Sequence, residues 1–241
     1  MANIIRLGSL YLCGNPVSVE DDYLSRPNWS IEIGETVPGK EISWVAVNGI
    51  FIADRCILRD ISWNNLCVQC LVFGKEITIG GFHYDLRLPL VGAKEGEPNE
   101  WDSALDAVGE DDSIWHWKNT HFWGQDIAEE TQYRANRGCD SARKWGFCHA
   151  QLRDERLGFR PVLDPMDMVH LDEVRIGEQL RIWGGQNIVS GRLEEINDYE
   201  VVLSGGDGAL DSSFGIRLND GSIVVERSVI VGVQTKQKEE T

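Results

Sequence analysis

Tyr84-Asp85-Leu86-Arg87-Leu88-Pro89, Glu100-Trp101-Asp102-Ser103-Ala104-Leu105, Ile114-Trp115-His116-Trp117, Arg137-Gly138 with Ser141-Ala142-Arg143, and Leu157-Gly158-Phe159-Arg160-Pro161-Val162 follow one another over about 80 residues. Pro98-Asn99-Glu100 reads as a helix start, with Asn99 as the cap and carboxylates in the first turn, where they meet the positive end of the helix dipole. That helix runs to Val108 and stops at Gly109. Upstream, Ile61-Ser62-Trp63-Asn64-Asn65-Leu66 begins a second helix with Ser62 as its N-cap. Alternation in Ile42–Ala53 with Asn48-Gly49 inside it reads as strands around a turn, and Glu76–Tyr84 reads as a hairpin around Gly80-Gly81. Beyond Gly109 the text reads as mostly irregular chain punctuated by short strands.

The order of these pieces resembles the formylglycine-generating enzyme and sulfatase-modifying-factor family, in which an R-L-P turn, an E-W-x-x-A helix, a V-W-E-W segment, and R-G…R-S-A-x-R running into G-F-R occur in that sequence. The resemblance implies a C-type-lectin-like fold. It leaves activity open, because the same scaffold serves as a non-catalytic display platform in the variable proteins of diversity-generating retroelements. It also implies that Trp101, Trp115, Trp117, Arg143 and Arg160 are framework, with both arginines buried and hydrogen-bonded.

The segment after Pro161 is of another kind. Arg175–Trp183, Ser190–Ile196, Glu200–Leu203, Asp220–Val225 and Ser228–Val233 read as five short strands joined by Gly, Asn and Asp turns, the pattern of a small closed barrel. The G-R-L-x-x-I and D-x-x-V-V-L phrasing is similar to SH3-like or Sm-like barrels. The expected organisation is therefore α+β. A C-type-lectin-like domain over 1–163, with two helices and much irregular chain, precedes a linker at 164–170, an all-β barrel over 171–235 and a disordered tail at 236–241. Pro161 and Pro165 argue against a helix across the junction.

A net charge of −16 opposes nucleic-acid phosphates and anionic lipid surfaces, which excludes direct duplex binding as an expectation. No segment approaches the ~18 apolar residues of a membrane span, and the first residues lack the apolar run of a signal peptide. The six Cys then read as free thiols in a reducing cytoplasm. Cys67-Val68-Gln69-Cys70 has no partner pair and reads as small apolar residues packing in a helix.

Each chemical motif has a departure. In the family, oxidase chemistry rests on two reactive Cys ahead of R-S-A. Here Arg137-Gly138-Cys139-Asp140-Ser141-Ala142 shortens that region and Cys139 stands alone, with Cys148 nine residues on. The five His are scattered and carry no metal-ligand spacing. Glu97-Pro98-Asn99 matches a calcium triplet of true lectins, with Glu95 and Asp102 as further oxygens, but it sits before the E-W helix rather than in the lectin loop. No catalytic residue, metal or cofactor is expected.

Thirteen residues, Lys144–Arg156, separate Arg143 from Leu157. They show no helical period and read as an outward loop bearing aromatics and cations, the residue types enriched at binding hot spots. Residues 134–160 carry seven basic and three acidic side chains, whereas 95–112 carry eight acidic and no basic ones. The expected function is a non-enzymatic module that binds an unknown protein or a small anionic ligand through Trp123, Lys144, Trp145, Phe147, His149, Gln151 and Arg153. The barrel would serve oligomerisation, including a possible homo-oligomer, or docking. Two alternatives stay open. One is a phage or mobile-element counter-defence protein that sequesters a signalling nucleotide or blocks a host immune protein. The other is a redox or metal-dependent enzyme using Cys139 or Cys148 with His149.

Overall fold

The computed structural model describes residues 2–21 and 23–236. The chain is mostly β, with 46% strand against 11% helix, in curled antiparallel sheets. The first sheet runs in the order Asn15–Val17, Asn3–Leu12, Glu41–Val47, Ile50–Ala53, Val162–Pro165, Phe82–Arg87, Lys75–Ile79, with Ile31–Gly34 also paired to Asn3–Leu12. Its centre is the hairpin around Asn48 and Gly49, both at positive φ (52° and 83°), as a two-residue turn requires.

Period 2 sends successive side chains of this hairpin to opposite faces. Trp44, Ala46, Phe51 and Ala53 enter one apolar core with Tyr84, Leu86, Trp123 and Leu163. Val45, Val47, Ile50, Ile52 and Val162 enter another with Trp101, Trp115 and Phe122. Burial on both faces explains the near-continuous apolar text there.

Helices α1 (Trp63–Val68) and α2 (Glu100–Val108) form with the expected caps: Ser62 Oγ accepts from the Asn65 N–H and Asn99 Oδ1 from that of Asp102. A short third helix, α3 (Asp112–Trp115), was not foreseen. The region expected to be irregular chain with short strands supplies four strands of a five-stranded sheet in the order Trp145–His149, Tyr133–Gly138, His121–Ile127, Leu157–Phe159, Leu58–Arg59. The reading missed it because Tyr-Arg-Ala-Asn-Arg-Gly places polar residues at buried positions. Asn136 and Arg137 are buried and hydrogen-bonded, so the polarity does not mark a loop.

The C-terminal unit contains four of the five expected strands, as Gln179–Gly184, Asn187–Ile196, Glu200–Ala209 and Ile223–Glu226; the fifth, expected at Ser228–Val233, begins only at Gly232 and runs to Thr235, because Arg227–Val229 is a 3-10 turn. Met168–Val169 and Gly215–Arg217 join them as the outer members of one seven-stranded sheet. Register shifts in Asn187–Ile196 curl it over its own apolar core. The closed barrel is not reached: among the described residues the two outer strands, of two and three residues, pair only inward, leaving a half-barrel.

The segment 164–170, expected as a linker, is held in ladders. Asp164 and Pro165 pair with Asp85 and Tyr84, and Met168 and Val169 with Gln234 and Val233. Proline excludes a helix here but not an extended strand. The outer face of the C-terminal sheet packs on the first sheet. Trp183 and Ile188 belong to the first core, and the Trp183 ring lies 4.3 Å from that of Phe51. Gln234 Nε2 donates to the carbonyls of His83 (2.6 Å) and Met166 (3.0 Å), and Gln186 Nε2 to that of Ala107 (2.6 Å). Lys236, the first residue of the expected tail, donates its backbone N–H to the Gln179 carbonyl, while 237–241 lie outside the described residues.

Replacing Trp183 with Ala is expected to cost about 3–5 kcal/mol, the loss of a buried aromatic between the two sheets. The check is chemical denaturation, with limited proteolysis of the wild type showing no preferred cut at 164–170.

Candidate functional site

The four separated motif pieces converge. Arg87 donates to both carboxylate oxygens of Glu100 (3.1 and 2.7 Å), tying the turn to α2. Trp101 packs edge-on against Trp115 (4.9 Å) and Phe122 (4.7 Å), and its indole N–H donates to the Ala142 carbonyl (2.8 Å). Arg137 reaches the Val91 carbonyl (2.7 Å) and the Asp102 carboxylate (2.7 Å). Arg160, fully buried, lies over Phe122 (4.6 Å) and Trp101 (5.1 Å) and donates to the carbonyls of Ala53 (3.3 Å), Trp115 (2.5 Å) and His116 (3.5 Å). Gly158 lets this strand approach its neighbour, since a Cβ there would meet the Leu58 carbonyl at 2.5 Å. Arg143 differs from expectation. It is partly exposed and bound by Asp106 (2.7 Å) and Glu110 (2.5 Å), because the acidic face of α2 lies beside it.

The candidate recognition residues divide. Trp123 is fully buried, its indole N–H bonded to the Ile61 carbonyl (2.8 Å), so it offers nothing to a ligand. Arg153 is a clamp: it donates to the Asp60 carbonyl (3.0 Å), the Asp60 carboxylate (3.0 Å) and the Ser25 carbonyl (2.6 Å). Trp145, expected to stand exposed, is half-buried and donates to the Gly92 carbonyl (2.9 Å). Lys144 and Gln151 are exposed at either end.

Between them there is no outward loop. Residues 145–149 form an antiparallel strand against Tyr133–Gly138, and this strand ends the sheet. Gly138 N–H donates to the Lys144 carbonyl (3.1 Å) and Ala150 N–H to that of Gln132 (2.9 Å). Bonded and non-bonded pairs alternate along an antiparallel ladder, so the inward bonds fall on residues 144, 146, 148 and 150. The backbone groups of Trp145 and Phe147 therefore point to the open side.

The side chains of Trp145, Phe147 and His149 share one face with Tyr133. Tyr133 is 5.6 Å from Phe147 and 5.8 Å from His149, and Trp145 is 5.6 Å from Phe147. Phe147 remains 39% exposed, which leaves this aromatic row open to contact. Tyr133 was missed by the sequence reading. The signal that could have placed the row was the period-2 spacing Trp145-x-Phe147-x-His149.

On the other face, Cys148 accepts a hydrogen bond from Asn136 Nδ2 (3.4 Å), and Arg134 stacks on Trp63 (4.1 Å). Consecutive strand residues point apart, so Cys148 and His149 cannot form a nucleophile–base pair within the strand. Burial pushes the Cys148 thiol up to about 11, and burial followed by the Asp140 carboxylate raises that of Cys139. Neither is primed for thiolate chemistry. Of the C-x-x-C pair, Cys67 packs against the first core while Cys70 is exposed at positive φ (61°) beyond the helix, which departs from the expectation for Cys70.

The Glu97–Asn99 triplet is spent internally. Glu97 accepts from the Ala93 N–H (2.7 Å), and Asn99 Nδ2 donates to Asp102 (2.6 Å). Among the described residues no group of three or more His, Cys, Asp or Glu is placed to hold a metal ion. No helix among them is long and apolar enough to cross a membrane.

Comparison with protein families, with curated proteins and with solved structures finds no match to this chain.

Two outcomes test this framework. Arg160→Ala would leave three carbonyls under-satisfied and open a cavity, lowering stability by about 2–4 kcal/mol in denaturant unfolding. The thiols of Cys56 and Cys148 are both raised from 9.0 to about 11 by burial. Unfolded thiols ionise near ~8.5, so across that window the folded state holds protons that the unfolded state has lost. This contribution is complete below about pH 8.5 and lost as pH rises through about 11. The melting temperature of a Cys56→Ala/Cys148→Ala variant should therefore fall less between these pH values than that of wild type.

Proposed function

We propose that this protein is a non-enzymatic binding module, and that it takes an extended segment of a protein partner as an added strand along Trp145–His149. The observation that carries this reading is an edge strand whose outward backbone groups and exposed aromatic side chain coincide at Phe147. Backbone groups on such an edge supply affinity, and pockets between alternate side chains supply selectivity. Natural sheets protect their edges with charge, proline or bulges. Residues 145–149 contain no proline and no Lys, Arg, Asp or Glu.

The scaffold is read as C-type-lectin-like and of the modifying-factor kind. The support is that Arg87, Glu100, Trp101, Trp115, Arg137 and Arg160, quoted for the resemblance, lie in direct contact with one another's motifs. A protein partner is favoured over a small anion because the local arginines named here are committed and, of the cations in the expected recognition set, only Lys144 stands exposed. Arg137 and Arg160 are buried, Arg153 is clamped on Asp60, and Arg143 is paired with α2.

Selection from a random peptide library against the wild-type protein tests the proposal. Enriched peptides are expected to bind with Kd in the ~micromolar range. Phe147→Pro deletes an outward N–H without touching the inward ladder, and is expected to weaken binding by about tenfold or more. Peptides that bind the proline variant as well as wild type, or a library that yields none, would overturn the strand-addition reading.

A further inference from the structure

The interface between the first sheet and the C-terminal sheet contains a second feature, distant in chemistry from the aromatic edge. A cavity of about 400 Å³ is lined by Ile4, Ile5, Arg6 and Leu7 of the first strand and by Arg181, Ile188, Ser190, Asp207 and Gly208. That volume falls within the range of small-molecule sites. Ile5 and Leu7 of the first strand and Ile188 of the C-terminal sheet share the apolar core between the two sheets and make the wall aliphatic, and Arg6, Arg181, Ser190 and Asp207 are its polar members.

Arg181 is the unusual member. Its Nε donates to Ser190 Oγ (3.0 Å), and its guanidinium lies over Phe82 (4.1 Å) and farther from Tyr84 (5.8 Å). Among the described residues Nη1, sealed from solvent, has no hydrogen-bond partner, and Nη2 makes no hydrogen bond. No carboxylate among the described residues forms an ion pair with it. Asp207 lines the same cavity, but one of its oxygens accepts the Gly208 N–H (2.7 Å). Burial lowers the Arg181 pKa to about 10, as expected for a cation without a counter-charge.

Other polar atoms around Arg181 are orphaned too. Tyr84 Oη, Trp183 Nε1 and Gln234 Oε1 are buried without partners, and Gln234 is the cross-strand neighbour of Arg181. Buried polar groups are nearly always satisfied, and a cluster that is not marks a place where something else binds. A cation held in such surroundings is costly unless an anion compensates it.

We infer that this cavity binds a small amphipathic oxyanion, a carboxylate or phosphate monoester on an apolar body, with its head on Arg181 and Ser190 and its body against Ile5, Leu7 and Ile188. Arg suits either head group, because its charge strengthens the hydrogen bond that Nη2 donates to a carboxylate or phosphate oxygen. Ligand in this position would bridge the N-terminal strand and the C-terminal sheet, and so would tighten the docking of one unit on the other.

Isothermal titration and thermal shift with octanoate, octyl phosphate, octanol and inorganic phosphate, on the full chain, test the inference. Octanoate, octyl phosphate or both should bind saturably at one site and raise the melting temperature, as a ligand selective for the folded state must. Octanol and inorganic phosphate should not, since each lacks one half of the recognition. Arg181→Met keeps the stem on Phe82 but removes the charge, and should weaken the anion by about tenfold or more. Ile5→Trp, at a partly buried position on the same strand face as Leu7, should fill the cavity while leaving the guanidinium in place. If Arg181→Met does not fold, Ile5→Trp decides. No saturable anion binding, an equal response to octanol, or unchanged affinity in whichever variant folds would overturn the proposal.

Discussion

A guanidinium with no access to solvent holds the first domain together. Arg160 lies on the aromatic faces of Phe122 and Trp101 and donates to carbonyls from two separate segments, Ala53 on the central hairpin and Trp115–His116 at the end of α3. Removing such a donor leaves carbonyls unpaired in a place where water cannot replace it. The arrangement constrains its surroundings. Trp101 must stay edge-on to Trp115, α2 must sit where Arg87 can grip Glu100, and the Gly158 strand must pass close to Leu58. Residues more than a hundred positions apart are fixed by one side chain.

From that point the molecule is built outward through a sheet buried on both faces. Its central hairpin divides two cores, and its second face receives Trp183 and Ile188 from the C-terminal unit. The two units are joined by apolar burial as well as by amide contacts from Gln186 and Gln234, and the connecting chain itself takes part in ladders. This is the interface of a single packed body rather than of two beads on a flexible string. It also sets Arg181 apart: at a junction built mainly of apolar contacts, a buried cation stands beside the unpartnered polar atoms of Tyr84, Trp183 and Gln234.

The aromatic edge and the Arg181 cavity use different physics. At the edge, recognition would come from backbone hydrogen bonds and from partly exposed rings, with Lys144 as the exposed cation at the strand's start. In the cavity, recognition would come from one charge against an aliphatic wall. The overall acidity of the chain does not decide between them, since local pairing sets what each surface offers.

Strands, turns and caps followed from local chemistry. Asn48-Gly49 and Gly80-Gly81 set two hairpins, Ser62 and Asn99 capped two helices, and four of the five principal strands of the C-terminal unit lay where alternation placed them, because these signals act within a few residues. The resemblance to a known scaffold also rested on sequence alone, in four short motifs whose contacts only the fold displays. Partnership over distance was not legible. Whether Trp123 faces solvent or the core depends on Ile61, 62 residues away, and whether Arg153 is free depends on Asp60, 93 residues away. The stretch 145–149 reads as a loop until Tyr133–Gly138 supplies its hydrogen bonds. Local sequence specifies backbone preference; which charges are spent, which rings are covered and which strand is left at an edge are set by pairings between distant segments, and these only the tertiary structure decided.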